Sequence, residues 1–249
     1  MIFKHKLEKE GNFFFRNRGR IPVILFTVVI PFIFTSGYPP GDAAIKYIEW
    51  TSYFLAASGF LIRCVAVGAS HPSSSGRNRD KQVAGSLNTT GIYSLIRHPL
   101  YAGNFLMWTG VAVYSTSVLF IVFIIIFFIF IYERIIYAEE CFLEKKFGVD
   151  FLYWGAITPA FFPSFGHYRK PEVNFSFRKV LANEYSGLLA LAFSFVYVDV
   201  LRLWKSVGEF SLPLPDLVLL AGALFIALTL RTLKHHTQLL NDSPQQKGK

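Results

Sequence analysis

The stretch VLFIVFIIIFFIFIY, from Val118 to Tyr132, is the most apolar part of the chain and decides its fold class. It lies within a longer segment, Ser117 to Ile136. A helix of that length crosses the roughly 30 Å hydrocarbon core of a bilayer at about 1.5 Å per residue. Inside lipid, a helix satisfies all of its backbone hydrogen bonds within one segment. The stretch therefore predicts a transmembrane helix.

The composition extends this prediction to the whole chain. Of its 249 residues, 53% are hydrophobic and 16% are charged, whereas a typical soluble domain carries about 25% charged residues. This composition excludes disorder, and a chain with two cysteines is not a disulfide scaffold. The other candidate spans are Ile21 to Tyr38, Tyr47 to Ala69, Leu100 to Tyr114, Tyr185 to Leu203 and Leu214 to Leu230. We therefore expect an all-α protein, a polytopic transmembrane helical bundle of about six spans.

The basic residues indicate the topology of this bundle. The formal net charge is +9, and most Lys and Arg residues fall in segments that lie on one side of a six-span arrangement. These are the N-terminal arm (1–20), the loop with Arg77, Arg79 and Lys81, the segment 145–179, and the tail that ends with Lys247 and Lys249. We therefore expect both termini in the cytoplasm and an uncleaved first span. The excess charge indicates contact with a membrane surface rather than with nucleic acid.

The segment from Gly76 to Gly103 is the first of two polar segments that could carry chemistry. Pro99 suits the first turn of a helix but disfavours a helical backbone at His98, so a helix should begin there with Arg97 and His98 at its mouth. A helix N-terminus and a guanidinium both attract carboxylate or phosphate. Gly103 would let a ligand or another helix come close. The alternative is that Arg97 only anchors the helix to lipid headgroups and that His98 is solvated.

The second polar segment runs from Glu133 to Pro163 and follows the most apolar span directly. The helix should continue past the membrane and end near Gly148. At helical spacing, one stripe holds Glu133, Tyr137, Glu140 and Glu144, and Glu139 lies on a neighbouring stripe. Carboxylates this close to a bilayer are costly unless they meet a cation or water. The alternative is a solvated face on which the carboxylates pair with Lys145, Lys146 and Arg134.

Three weaker features lie elsewhere in the sequence. Arg63, inside the second candidate span, either extends to the headgroups or faces the bundle interior. Asp199 is placed to pair with Arg202 near the far end of the fifth span. Cys64 and Cys141 should lie at different depths and stay unpaired, and no zinc-ligand spacing is present, so we expect no metal site.

Taken together, the two polar segments resemble the isoprenylcysteine carboxyl methyltransferase and phospholipid methyltransferase superfamily. The matching residues are GIYSLIRHPLYAGNF, from Gly91 to Phe105, followed by Glu139-Glu140, Leu143, Phe147-Gly148 and an exit between Pro159 and Pro163. The resemblance implies an integral-membrane enzyme that binds S-adenosylmethionine on the cytoplasmic side. The family usually has Tyr where this chain has Phe151 and Trp154, which leaves open whether Tyr153 compensates.

The resemblance also implies roles for individual residues. Arg97 and the helix start at Pro99 would receive the carboxylate of the cofactor, helped by His98. Either Glu139 or Glu140 would receive its ammonium. The full set implied to bind the cofactor is Gln82, Tyr93, Arg97, His98, Pro99, Tyr101, Gly103, Asn104, Glu139 and Glu140. Of these, Arg97 and Glu140 are also the expected catalytic residues.

The resemblance divides the single membrane domain, residues 1–249, into parts with different expected roles. These are a basic cytoplasmic arm (1–20), a cofactor-binding methyltransferase core (76–163), an additional helical hairpin (183–233) and a polar tail (234–249). A methyl sulfonium needs no catalytic triad, so alignment would carry the reaction. The expected acceptor is a membrane-embedded lipid or lipidated molecule, most simply a headgroup phosphate, carboxylate or amine.

The sequence also suggests a cellular location and leaves two alternative functions open. The short loops and compact size favour a bacterial inner membrane. One alternative function is an NADPH-dependent membrane reductase, since sterol reductases share part of this membrane architecture. The other is a non-catalytic membrane transport or assembly protein. The sequence does not indicate an oligomeric state.

Overall fold

The computed structural model describes residues 2–37, 41–71 and 82–240. These residues form eight α-helices and one short 3-10 helix, and no strand occurs among them, which confirms the all-α fold class. The elements are α1 (Ile2–Asn17), α2 (Ile21–Thr35), α3 (Gly41–Gly68), the 3-10 helix (Gly91–Ser94), α4 (Pro99–Tyr114), α5 (Val118–Phe147), α6 (Val149–Ile157), α7 (Phe177–Val207) and α8 (Leu214–His236). Outside the described residues lie Tyr38, Arg77, Arg79, Lys81 and the tail from 241 to 249.

Each of the six apolar segments forms a helix. Helices α3, α5, α7 and α8 are by themselves long and apolar enough to cross a membrane. Helices α1 and α2 pass the same test only as a pair, and they meet at an angle of 85°. Helix α4 is shorter, with 16 residues, and packs along α3. Four or five candidate spans therefore occur in the described part of the chain, and α4 accounts for the remaining predicted segment.

Local sequence signals set the ends of α4 and α5. Thr116, with a φ of +62°, lies in the turn between these two helices. The Ser117 hydroxyl accepts a hydrogen bond from the Phe120 amide at 3.3 Å, which caps the start of α5. Gly148, with a φ of +53°, ends α5 as expected, because this conformation strains residues that carry a Cβ. One continuous helix thus extends from the most apolar stretch of the chain to the adjacent glutamates.

Helices α3 and α4 pack closely because small residues face each other along their contact. A Cβ added to Gly103 would lie 2.6 Å from the Gly59 carbonyl oxygen and 2.6 Å from Cγ of Arg63. Similarly, a Cβ added to Gly110 would lie 2.7 Å from the Ser52 carbonyl oxygen. Such contacts let two backbones approach without intervening side chains. Of the two roles expected for Gly103, the structure therefore shows the close approach of another helix.

The N-terminal arm forms helix α1, which packs on the second half of α5. Gly11 lies so close to α5 that an added Cβ would be 2.0 Å from the Arg134 carbonyl oxygen. Two ion pairs flank this contact, since Glu10 lies 3.0 Å from Arg134 and Glu8 lies 2.6 Å from Lys145. Two of the three cations of the predicted solvated face, Arg134 and Lys145, are thus paired with α1. The structure therefore does not fit the alternative in which these cations pair with the α5 carboxylates on a solvated face.

Helices α7 and α8 follow each other in the chain and pack together. Helix α7 packs on α2, α3 and α4 and contributes Phe195 to the main apolar core. Within α8, only Ala223 and Ala227 are buried, so most of its apolar surface faces outward. The predicted proximity of Asp199 and Arg202 is present at 3.7 Å. Helix α7 begins at Phe177, before the start of the predicted span at Tyr185, and therefore contains Glu184.

Candidate functional site

The mouth of α4 is held in place by the chain that leaves α6. The Arg97 amide donates to the Pro159 carbonyl at 2.9 Å. The His98 amide donates to the Ala160 carbonyl at 3.2 Å. Pro99 follows as the first residue of α4 and is fully buried, and the next amides of that turn donate to the His98 carbonyl. The predicted helix start is confirmed, and the amides of Arg97, His98, Tyr101 and Ala102 are already engaged with carbonyls.

Arg97 points into the protein and joins three elements. Its Nε donates to Oε1 of Glu140 on α5 at 2.8 Å. Its Nη1 donates to the carbonyls of Gly155 and Thr158, at the end of α6, at 2.7 and 2.5 Å. The side chain is 15% exposed, so a role restricted to anchoring the helix in headgroups does not fit the structure. Nη2 makes no hydrogen bond within the described residues.

His98 is buried beside both adjacent glutamates. Its Nε2 lies 3.0 Å from Oε1 of Glu140, and its Nδ1 lies 3.7 Å from Oε2 of Glu139. The imidazole stacks on the Tyr101 ring with centroids 5.5 Å apart and an interplanar angle of 14°. The alternative of a solvated His98 is therefore wrong. The ring is oriented by contacts on both of its edges and on one face.

Each adjacent glutamate uses one oxygen and leaves the other without a partner. Glu140 accepts from Arg97 and His98 on Oε1. Glu139 accepts from the Tyr101 hydroxyl on Oε2 at 2.7 Å. Within the described residues, no hydrogen bond reaches Oε2 of Glu140 or Oε1 of Glu139, and the two side chains are 26% and 24% exposed. The cluster therefore has two carboxylate oxygens that a cationic group could reach.

The predicted stripe on α5 does not converge on this cluster as a unit. Glu140 reaches it, whereas Glu133 lies 3.5 Å from Arg134 with a side chain that is 72% exposed. Glu144 is also exposed. The reason is geometric, because α4 and the α6 exit cover only one side of α5. Glu139, from the neighbouring stripe, lies on that covered side.

The remaining predicted residues lie around the cluster at different places. Tyr93 is tied to α3 and α6, since its hydroxyl donates to the Ala66 carbonyl at 3.3 Å and its carbonyl accepts from Trp154 Nε1 at 3.0 Å. Asn104 donates to the Tyr132 hydroxyl at 2.9 Å. Gln82 lies apart from Arg97, with its Nε2 buried and without a hydrogen-bond partner in the described parts of the chain.

The aromatic residues that follow Gly148 do not bring a phenol into the site. Phe151 and Trp154 are 6% and 5% exposed and pack as ring neighbours. Tyr153 is 63% exposed. It therefore lies on the outside of α6 and does not take the place of a tyrosine at 151 or 154.

The structure adds a buried ion pair that the sequence did not assign. Arg63 donates to both oxygens of Glu184, from Nε and from Nη2, at 2.9 Å each. It also donates from Nη1 to Oδ1 of Asn104 at 2.7 Å. Arg63 therefore faces the interior, and Glu184 was missed because it was placed before the fifth span. The presence of Arg63 in an apolar span could have indicated this pair, since a charge at membrane depth needs a partner.

A cavity of about 450 Å³ lies between α1, α5 and the loop at Gln82. Its lining residues are Glu8, Asn12, Phe15, Arg16, Gln82, Phe142 and Lys145. The volume falls in the range of about 300–1,000 Å³ that is typical of small-molecule sites.

The described residues contain no cluster of His, Cys, Asp or Glu that could hold a metal ion, and Cys64 and Cys141 are free.

The chain is similar to known proteins across the region that holds this cluster. It is 32% identical over 161 residues, 62% of this chain and 68% of the relative, to the cobalt-zinc-cadmium resistance protein CzcN of Cupriavidus metallidurans. Residues 76–150 match the family model described as phospholipid methyltransferase. The chain belongs to this methyltransferase family. Its matched segment contains Arg97, His98, Tyr101, Glu139 and Glu140.

A second relative matches a shorter part of this chain. The nickel-cobalt-cadmium resistance protein NccN of Alcaligenes xylosoxydans xylosoxydans is 35% identical over 83 residues, 33% of this chain and 38% of the relative. No solved structure matches the chain. The family match runs from residue 76 to residue 150, so α1 and Arg63 lie before it and Glu184 lies after it.

Proposed function

We propose that this protein is an integral-membrane methyltransferase that transfers a methyl group from S-adenosylmethionine to a lipid headgroup. The observation that carries the proposal is the pair of unpartnered carboxylate oxygens on Glu139 and Glu140, inside the family-matched segment. Two carboxylates here face one guanidinium, Arg97, so the cluster favours a ligand that carries positive charge. The ammonium and sulfonium groups of the cofactor meet that requirement.

The residues present also fit the remaining groups of the cofactor. Nη2 of Arg97 is available to a carboxylate, whereas the Arg97, His98, Tyr101 and Ala102 amides around the start of α4 are taken by carbonyls. We therefore assign the carboxylate to the Arg97 side chain and not to the helix start. The His98 and Tyr101 rings are positioned by the glutamates and keep the cluster rigid. Such preorganised charge is effective in a site shielded from water.

The reaction requires little from the protein beyond alignment. When bound, S-adenosylmethionine supplies a methyl group whose bond to sulfur breaks as the acceptor atom bonds to carbon, and S-adenosylhomocysteine leaves. A headgroup phosphate, carboxylate or neutral amine is already a competent nucleophile for that step. Arg97, Glu139 and Glu140 would hold the donor at the membrane edge so that the acceptor can approach from the bilayer.

The acceptor we favour is an anionic headgroup, with phosphate as the simplest case. The formal net charge of +9 would gather anionic lipid near the site. A phosphatidylethanolamine amine and a prenylated cysteine carboxylate are alternative acceptors with the same requirement for alignment. We propose a bacterial inner membrane as the location, with both termini in the cytoplasm.

Two measurements test this function. Mass spectrometry should find a lipid with one added methyl group in membranes that contain the protein and not in membranes that lack it. Purified protein in detergent should bind S-adenosylmethionine, and Arg97→Ala and Glu140→Ala should each weaken that binding strongly. Normal affinity in both variants would show that the site is elsewhere. Thermal stabilisation by NADPH but not by S-adenosylmethionine would favour the reductase instead.

A contribution to metal tolerance is a second candidate function, because both relatives are named as metal-resistance proteins. Such a contribution could follow from methylation, since a methylated phosphate loses negative charge and with it attraction for divalent cations. The test compares growth in cobalt, zinc and cadmium between cells with the wild-type protein and cells with Glu140→Gln. Equal growth of the two strains would reject a role that depends on the methyltransferase site.

A further inference from the structure

The cavity between α1 and α5 has a lining that is suited to one end of a nucleoside-containing ligand. Glu8, Asn12 and Arg16 follow each other at intervals of four residues, so they lie on one face of α1 and turn it toward the cavity. Phe142 and Lys145 complete the wall from α5. The family match contributes only the α5 side and Gln82, because α1 lies outside residues 76–150.

Two lining residues, Phe142 and Phe15, connect the cavity with the elements that hold the glutamate cluster. Phe142 follows Glu139 by three residues on α5, a spacing at which helical side chains are neighbours. Phe15, from α1, packs in the same apolar cluster as Tyr101 and Tyr132. Since the Tyr101 hydroxyl donates to Glu139, this packed apolar cluster links the cavity lining to one of the two glutamates.

Two kinds of side chain in the cavity match an adenine base. Asn12 and Gln82 carry amide groups, which offer a donor and an acceptor side by side, and adenine presents the complementary pair at N6 and N7. The Gln82 Nε2 is buried with no partner in the described residues, which is costly unless a ligand accepts its hydrogen bond. Phe142 offers a ring on which a base could stack, whereas the Phe15 ring is buried and has the Arg18 guanidinium 3.8 Å from its centroid.

The charges of the lining argue against a phosphate group as the occupant. Glu8 and Lys145 lie 2.6 Å apart and neutralise each other. Arg16 is then the cation that remains, and its Nε already donates to the Asn12 carbonyl. A lipid phosphate would therefore meet a carboxylate and only one unpaired basic group. A neutral nucleoside suits this lining better than an anion does.

We propose that this cavity binds the adenosine end of S-adenosylmethionine, with Asn12 and Gln82 hydrogen-bonding to the adenine edge and Phe142 beside the base. The inference rests on the proposed function, because it assigns the part of the methyl donor that Arg97, Glu139 and Glu140 leave uncovered. Helix α1, which the family model does not include, thereby becomes one wall of the cofactor site. It is held there by the Gly11 contact with α5 and by the Glu10–Arg134 pair.

The test measures S-adenosylmethionine binding to the full chain in detergent for Asn12→Ala, Gln82→Ala and Gln82→Glu. Each variant should lower the affinity for S-adenosylmethionine about tenfold or more. Gln82→Glu keeps the side-chain volume nearly constant and should lower the affinity because it removes the amide donor. Lys9→Ala, on the exposed face of α1, is the matched control and should bind normally. Displacement by adenosine should weaken in the Gln82 variants, while displacement by methionine should not.

The outcomes separate this inference from the proposed function. Normal affinity in the Asn12 and Gln82 variants, together with lost affinity in Glu140→Ala, would overturn the adenosine site and leave the methyltransferase intact. Absence of S-adenosylmethionine binding in the wild-type protein would overturn both. Thermal unfolding of each variant checks its folding. If Gln82→Ala unfolds, Gln82→Glu and Asn12→Ala still decide the question.

Discussion

Two arginine–glutamate pairs in this bundle differ in what they leave unused. Arg63 meets both carboxylate oxygens of Glu184 at 2.9 Å, so that glutamate has no oxygen to spare for a ligand. In the pair of Arg97 with Glu140, one oxygen accepts from Arg97 and His98, and the other has no partner among the described residues. Glu184 is 4% exposed and Glu140 is 26% exposed. The first pair is a closed link, and the second is open to a ligand.

The two pairs also join different parts of the molecule. Arg97 and Glu140 connect α4, α5 and the end of α6 within the family-matched segment. Arg63 and Glu184 connect α3 to α7, and Asn104 extends the link to α4. Identical residue types therefore hold the bundle together in one place and form the candidate site in the other. Exposure and unused hydrogen-bonding capacity distinguish the two.

Replacement of the closed pair should have the largest effect on stability. Glu184→Ala would leave the Arg63 guanidinium buried without its counter-charge, and breaking a buried pair typically costs about 3–5 kcal/mol. Unfolding by SDS in mixed micelles would measure the loss. The double replacement Arg63→Leu with Glu184→Leu removes both charges and should recover most of the stability. A loss below about 1 kcal/mol in Glu184→Ala would mean that the two pairs do not differ as described.

Replacement in the open pair should change binding more than stability. Glu140→Gln keeps the shape of the side chain but removes the charge, and we expect S-adenosylmethionine affinity to fall by about tenfold or more, roughly 1.4 kcal/mol. The free energy of unfolding should change less than in Glu184→Ala, because Glu140 is partly solvated. Glu139→Gln is the companion variant. The larger loss of the two identifies the glutamate that binds the ammonium, and equal affinity in both variants and wild type would contradict the site.

A third ion pair should have the smallest effect. Lys145 is 68% exposed and pairs with Glu8 on α1, and exposed pairs contribute little because solvent and salt screen them. Lys145→Ala should leave the unfolding transition close to that of wild type. Arg134→Ala is the comparison on the same pair of helices, since that side chain is 17% exposed. It should lower the transition clearly, and the opposite ranking would show that exposure does not order these pairs.

The helices were largely predictable because the bilayer imposes a simple requirement. A long apolar run must become a helix, so the stretch from Val118 to Tyr132 predicted α5 without knowledge of its neighbours. Pro99 and Gly148 likewise predicted helix ends from their own backbone preferences. Helix α7 begins at Phe177, several residues before the apolar span that starts at Tyr185, because its first turns are polar and hydropathy alone does not detect a helix that begins outside the apolar run.

The candidate site was predictable in membership but not in geometry. The spacing of Arg97, His98 and the adjacent glutamates indicated a joint role, and the structure places them within hydrogen-bonding distance. Sequence could not show that Arg97 also binds the carbonyls of Gly155 and Thr158, because backbone carbonyls carry no residue signature. It also gave no reason to expect that α1 would cover α5, because that contact depends on the space beside Gly11.

By itself, the sequence determined the helices, their approximate ends and the residues that could carry charge chemistry at the membrane edge. These features are local, since they follow from apolar length, from proline and glycine, and from side-chain type. Only the tertiary structure decided which charge meets which. Arg63 could have faced lipid headgroups or the interior, and Glu184 on a distant helix settled the matter. Partners brought together by packing across the bundle determine whether a charged residue is a structural link or an open binding group.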